Sequence, residues 1–387
     1  MIRKLSALLL ACLLVLSALP VLAEPAAALD ASFTATVTEI QKYGNLVLDA
    51  KASALLDAGF AYGDVVNVNV NGQDLQMPVG SNYSDVDQGT LICRAVYQEG
   101  GDDYIILAIN MGDLATTAGI ATKEKIEADP GYVWHYNEGV AEPVTVSITM
   151  AEQGGYYDAW VIHQLQRSNE RADYPELTDP EFANFRMITT TGIGEGKLYR
   201  SSNPVNPEIN RNKEADAAAK EAGVKTFINL ADAEETMRGY EGFTESYYAT
   251  QNIIALNLGV DFMADDFKAG LAEGIRFLAH SEGPYLVHCT EGKDRAGFVS
   301  AVLEALMGAS ADEIVADYMV TYWNYYAVKP DGERYPIIAN SNIVKSLAAA
   351  FGIESIYDAD LSAAAEQYLL GIGISQEDLA LVKNNLK

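Results

Sequence analysis

The sequence predicts an α/β domain, with a central mixed or parallel sheet flanked by helices, preceded by a smaller β-rich domain. Three observations predict it. Short β-rich runs separated by turn residues fill residues 33 to about 110. From Met187 onward strands alternate with helices, the pattern of a sheet covered on both faces. The apolar residues 284–287 then lead into HCTEGKDRAG, residues 288–297, followed by a helix-periodic stretch that stops at Gly308.

The chain opens Met1-Ile2-Arg3-Lys4 and runs apolar over residues 5–22, interrupted by Ser6, Ser17 and Pro20. Val21-Leu22-Ala23 ahead of Glu24 fits a small-residue cleavage site, so residues 1–23 read as a secretory signal peptide and the protein as secreted or held in the cell envelope. Leu9-Leu10-Ala11-Cys12 as a lipoprotein box, or an uncleaved anchor, are the alternatives. The formal charge is −28, and loss of Arg3 and Lys4 makes it more negative still. Such a field repels nucleic acid and anionic membrane, which argues against both as partners. Cleavage would leave Cys93 and Cys289, far apart in sequence, which argues against a disulfide framework and allows a reactive thiol.

Residues 24–152 form the expected β-rich accessory domain, of unknown partner. Its strands are expected over 33–38, 45–49, 65–70, 91–96, 104–109 and 144–150, with Asn71-Gly72 as a hairpin turn. Cys93 reads as a small buried apolar residue. Residues 153–186, polar and aromatic with turn character, read as a linker or lead-in. In the α/β domain, 187–387, strands are expected at 197–200, 224–230 and 253–258, and helices at 215–222 and about 265–279, the latter capped by Asp265 or Asp266. Beyond Gly308 only helices follow, one opened by a Ser310–Glu313 capping box and one by Ser375 with Asp378 in its first turn. Tyr318, Tyr322, Trp323, Tyr325 and Tyr326 read as helix packing.

The candidate site is the turn between the strand and the helix at 288–297. Backbone N–H groups and a helix N-terminus converge there, which makes an anion site before side chains are counted. Cys289 in that volume has its thiolate favoured, and Arg295, six residues on, can fork two hydrogen bonds to a phosphate. Gly292 suits a crowded loop, and Lys293 adds a cation for a second anionic group. A thiolate divides phosphate-ester hydrolysis into transfer and hydrolysis, while the loop N–H groups and Arg295 balance the equatorial oxygens. His135, His163 and His280 show no ligand spacing, so neither a metal nor another cofactor is expected.

The run from His288 to Gly297 resembles the HCxxGxxR signature of the protein tyrosine phosphatase superfamily. Its Gly-Lys-Asp-Arg portion is similar to the bacterial tyrosine and dual-specificity branch that also acts on phosphoinositides. Arg200-Ser201-Ser202 and Ile228-Asn229-Leu230 look like that branch too, and the resemblance covers roughly residues 187–387. It implies a cysteine-dependent phosphomonoesterase acting through a phosphocysteine, on a phosphotyrosine protein or on a phosphoinositide or inositol phosphate. It implies Cys289 as nucleophile, Arg295 as phosphate ligand, Thr290, Glu291, Gly292, Lys293, Ala296 and Gly297 as the loop that holds substrate, and His288 as structural support. A general acid must protonate the leaving oxygen. In the family it is an aspartate about thirty residues before the cysteine; Asp261 lies 28 before Cys289, and Asp294 is the other candidate. Two residues depart from the pattern. Ala296 replaces the usual hydroxyl residue after the arginine, and Glu291 places a carboxylate that repels the ligand unless it points outward. They keep open a phosphate-binding pseudophosphatase and an inositol-polyphosphate phosphatase.

Overall fold

The computed structural model describes residues 31–387, so the expected signal peptide, residues 1–23, and Cys12 lie outside the described residues. The chain divides into two compact units, Met1–Trp160 and Val161–Lys387. Among the described residues no helix is long and apolar enough to cross a membrane.

The first unit is a closed barrel of seven strands. In chain order its elements are β1 (Ser32–Ile40), β2 (Leu46–Leu48), α1 (Ala52–Asp57), β3 (Val65–Val70), β4 (Gln73–Gly80), β5 (Leu91–Tyr97), β6 (Asp103–Ile109), α2 (Leu114–Thr117), β7 (Ala121–Lys125), β8 (Tyr132–Tyr136) and β9 (Thr145–Glu152). The barrel order is β1-β2-β6-β5-β4-β3-β9, and β9 pairs back onto β1. The period-two pattern is plain in β3, where Val66, Val68 and Val70 are buried and Asn67 is exposed. Asn71 and Gly72 both take positive φ, 51° and 80°, and so close a two-residue hairpin with Val70 opposite Gln73. Two features lie beyond the sequence expectation: β4 pairs with β5 in parallel, and β7 and β8 form a separate two-stranded sheet. Cys93 is fully buried, and burial pushes its thiol up to about 12, so it is an inert core residue.

Residues 153–186, expected as a linker, hold α3 (Tyr157–His163) and α4 (Asp179–Phe182). Thr178 and Glu181 make a capping box on α4, and Tyr174, Leu177 and Phe182 bury together. Helices of one or two turns are too short for apolar periodicity to announce them.

The sheet of the second unit runs β10 (Arg186–Met187), β11 (Leu198–Ser201), β14 (Tyr285–His288), β12 (Thr226–Asn229), β13 (Asn252–Ala255). All pairings are parallel except β10 with β11. Every residue of β14 is buried, as befits a strand covered on both faces. Tyr285 and Val287 pack on one side with α7 (Asp265–Ala279) and α8 (Asp294–Met307). Leu286 packs on the other with α5 (Asn212–Glu221) and α6 (Glu234–Arg238). α8 is buried along nearly its whole length and ends at Gly308, φ 103°. Around it lie α9 (Ala311–Tyr326), α10 (Arg334–Ala339), α11 (Asn342–Phe351), α12 (Leu361–Gly371) and α13 (Gln376–Asn385). Ser310 and Ser375 cap α9 and α13. The expected cap of α7 is corrected: Ala264 is its N-cap residue, and Asp265 and Asp266 sit in the first turn, where they face the positive end of the helix dipole.

Candidate active site

β14 ends at His288 and α8 begins at Asp294, so residues 289–293 turn at the carboxyl end of the middle strand, where open α/β sheets bind ligands. Cys289 opens the turn and is 2% exposed. His288 is wholly buried, its Nε2 lies 3.0 Å from the Tyr248 hydroxyl, and burial pushes it down to about 4.

Four carbonyls of the turn, those of residues 290–293, are tied to scaffold. Asn203 N–H donates to Thr290 O (3.1 Å). Asn184 Nδ2 (3.0 Å) and the Tyr325 hydroxyl (2.8 Å) donate to Glu291 O. Arg200 Nη2 donates to Gly292 O (2.8 Å) and Lys293 O (3.3 Å). In a trans peptide the N–H of the next residue points opposite to the carbonyl. The N–H groups of residues 291–294 therefore point away from the scaffold, and none donates to another described residue. α8 adds its open N-terminus, because Lys293 at its N-cap makes no side-chain cap bond.

Gly292 makes this possible. Its φ is 71°, and a Cβ there would lie 2.2 Å from Ser201 O at the end of β11. Gly297 is equally constrained, since a Cβ would meet Tyr318 at 2.6 Å and Arg200 at 2.9 Å. Arg200 is itself 1% exposed and pairs with Asp317 on α9 at 2.7 Å, while Arg186 grips the same carboxylate at 2.8 Å. Arg186 and Arg200 together hold Asp317 below its usual value against the upward pull of burial.

Arg295 Nη1 donates to Leu258 O (2.9 Å) and Nη2 to Thr290 Oγ1 (3.2 Å), while Nε is buried without a protein partner. Leu258 lies three residues before Asp261, so this bond joins the arginine to the Asp261 loop. Phe262 fixes the same loop by stacking on Phe298 of α8, centroids 4.5 Å apart. Asp261 is exposed, and its Oδ1 accepts the Met263 N–H at 3.0 Å. Asp294 is the first residue of α8, and burial raises it from its ordinary value. Both acid candidates thus belong to the neighbourhood of the loop. Ala296 is fully buried and brings no hydroxyl.

Glu291, whose carboxylate repels a ligand unless it points outward, is held by two cations. It folds against Arg167 (2.8 Å) and Lys293 (3.2 Å), because two cations near a part-buried carboxylate outweigh its desolvation. Burial pushes Glu291 up, but Lys293 and Arg167 hold it below its usual value. Lys293 is correspondingly engaged, with Tyr326 Oη 3.0 Å away, and the acids raise it despite burial.

Residues 181–387, more than half of the chain, match the model of the tyrosine phosphatase family. The chain belongs to the tyrosine phosphatase family. It is thus a phosphatase with the phosphoric monoester hydrolase activity of that family, and the barrel precedes the phosphatase domain. Residues 35–127 of the barrel match a second model, the SAM hydroxide adenosyltransferase C-terminal domain. No curated protein matches by sequence. Among solved structures, an uncharacterized conserved protein from Thermotoga maritima is 19% identical, with 30% of this chain and 36% of that chain covered, TM-score 0.23. The core catalytic domain of the PP-IP phosphatase SIW14 from S. cerevisiae, in complex with citrate, is 18% identical, with 43% of this chain and 91% of that chain covered, TM-score 0.26.

Sequence reasoning missed the scaffold of the loop: Arg167, Asn184, Asn203, Asp317 and the roles of Arg200 and Tyr325. Only two signals were present. Arg200 lies in β11 on the same face as buried Leu198, and Asp317 interrupts the apolar residues Ile314, Val315 and Tyr318 of α9. The aromatic cluster on α9 is packing, as expected for buried Tyr318, Tyr322 and Tyr325, and Tyr325 also supports the loop.

Proposed function

We propose that this phosphatase acts through a cysteinyl phosphate at Cys289, on phosphotyrosine-like or phosphoinositide-like monoesters. The observation that carries the reading is the tethering of the four loop carbonyls, which turns four N–H groups away from the scaffold next to an arginine with an unpartnered Nε. The Cys289 sulfur attacks phosphorus, forming the S–P bond as the ester P–O bond breaks. Asp261 gives its proton to the leaving oxygen; Asp294 is the alternative donor. Water then gives a proton back to the same carboxylate as it attacks phosphorus, the S–P bond breaks, and phosphate leaves with the thiolate restored. The loop N–H groups and Arg295 carry the charge of the equatorial oxygens through both steps.

Cys289→Ser tests the assignment. It abolishes hydrolysis of an aryl phosphate, vanadate inhibits the unsubstituted protein, and chelators do not. Full activity in Cys289→Ser would sink the mechanism, and phosphate binding without turnover by the unsubstituted protein would favour a binding role. The residue pattern of 1–23 supports export. N-terminal sequencing of the protein purified from its native source then begins at Glu24, whereas a retained Met1 would contradict cleavage.

A further inference from the structure

The loop contains a charge arrangement that a phosphate site does not itself require. Arg167, Glu291 and Lys293 form one cluster, with side chains 23%, 19% and 18% exposed. Glu291 Oε1 accepts from Arg167 Nε (2.9 Å) and lies 2.8 Å from its Nη2, while Oε2 lies 3.2 Å from Lys293 Nζ. The guanidinium of Arg167 is also seated over the Tyr325 ring, 5.8 Å from its centroid. These partly buried groups are less screened by salt than a surface pair. We propose that Glu291 is a specificity-determining residue that restricts the site to esters carrying a single phosphomonoester group, by keeping Arg167 and Lys293 occupied and adding negative charge beside the loop.

The inference rests on the reading of residues 289–295 as a phosphate loop. One dianionic phosphate is served by the loop N–H groups and Arg295, neither of which Glu291 engages. A second or third phosphate on the same molecule needs cations outside that set. Arg167 and Lys293 are already paired with Glu291, Arg200 is paired with Asp317, and Asp294 stands 3.9 Å from Lys293. A polyphosphorylated ester must either displace the carboxylate or lie against it, and juxtaposed like charges are strongly disfavoured. An aryl ester with one phosphate incurs neither cost.

The test compares kcat/KM for inositol hexakisphosphate and for an aryl phosphate in wild-type, Glu291→Gln and Glu291→Asp proteins. The hexakisphosphate-to-aryl ratio rises about tenfold or more in Glu291→Gln, on the scale of removing one like-charge contact, and stays low in Glu291→Asp, which keeps the charge. A ratio within twofold of wild type in Glu291→Gln overturns the proposal; Glu291→Ala repeats the test if the amide variant does not fold. If wild type hydrolyses neither compound, the phosphatase chemistry has failed and not the filter. Calorimetry on Cys289→Ser with and without Glu291→Gln then decides, using inorganic phosphate and inositol hexakisphosphate as probes. The same shift in preference supports the filter, and an unchanged preference refutes it.

Discussion

Gly292→Ala is the sharpest perturbation of the loop. At φ 71° an alanine carries roughly 1–2 kcal/mol of left-handed backbone strain. Its Cβ would lie 2.2 Å from Ser201 O, 2.4 Å from Ser201 C and 2.9 Å from Ser202 N. All three are backbone atoms, and Ser201 is held in register opposite His288. The loop must therefore retreat by about 1 Å, with an overpacking cost of ~1–3 kcal/mol. Together these destabilise the fold by about 2–5 kcal/mol. A 1 Å misplacement in a preorganised site costs on the order of a hundredfold in rate. Gly308→Ala is the matched control: φ is 103°, but nothing lies within 4 Å of the added methyl, so it has backbone strain without the clash. Urea unfolding gives the stability of both, and kcat/KM on an aryl phosphate with vanadate affinity gives the function. Gly292→Ala loses about a hundredfold in both functional readouts while Gly308→Ala keeps them. Retention of kcat/KM by Gly292→Ala to within threefold of the control would refute the claim that loop and strand are in forced contact.

Two further outcomes follow from the same geometry. Asp261→Asn slows turnover of alkyl or unactivated aryl phosphates about a hundredfold, but barely affects an ester whose leaving group needs no proton, on the usual scale of general acid catalysis; equal losses on both, measured as a leaving-group series, would reassign the acid to Asp294. His288 is pushed down to about 4 by burial, against about 6.5 unfolded. The unfolded chain thus binds more protons between those values, so this contribution is complete above pH 6.5 and lost as pH falls toward 4, about 3 kcal/mol in all. Urea unfolding at pH 4.5 and 7.5 therefore shows a smaller pH difference in His288→Gln than in wild type, and equal differences would contradict the assignment.

The parts of this protein that could be read in advance are those written in neighbouring residues. Cys289, Gly292 and Arg295 sit on one strand, turn and helix, and local periodicity with turn chemistry sufficed to place them. Val66, Val68 and Val70 announced β3 in the same way, and Asn71-Gly72 its hairpin. What stayed hidden depends on partners distant in sequence. Arg200 finds Asp317 across 117 residues, and Arg167 finds Glu291 across 124. Neither arginine's partner is announced by its neighbours in sequence. The placement of Glu291 follows from Arg167, so it could not be read from the loop alone. Barrel closure hides likewise, because pairing Ser32 with Thr149 is a property of the whole strand order and not of either strand. The short helices α3 and α4 were hidden by length alone.

The central claim is that Cys289 carries the phosphoryl group between substrate and water. Acid quench of a single turnover with a phosphorus-labelled aryl phosphate, followed by peptide mapping, tests it most directly. The account predicts label on the one peptide that contains Cys289, forming and decaying at rates consistent with turnover, and no label in Cys289→Ser. Full turnover with no labelled peptide, or label on any other residue, would contradict it.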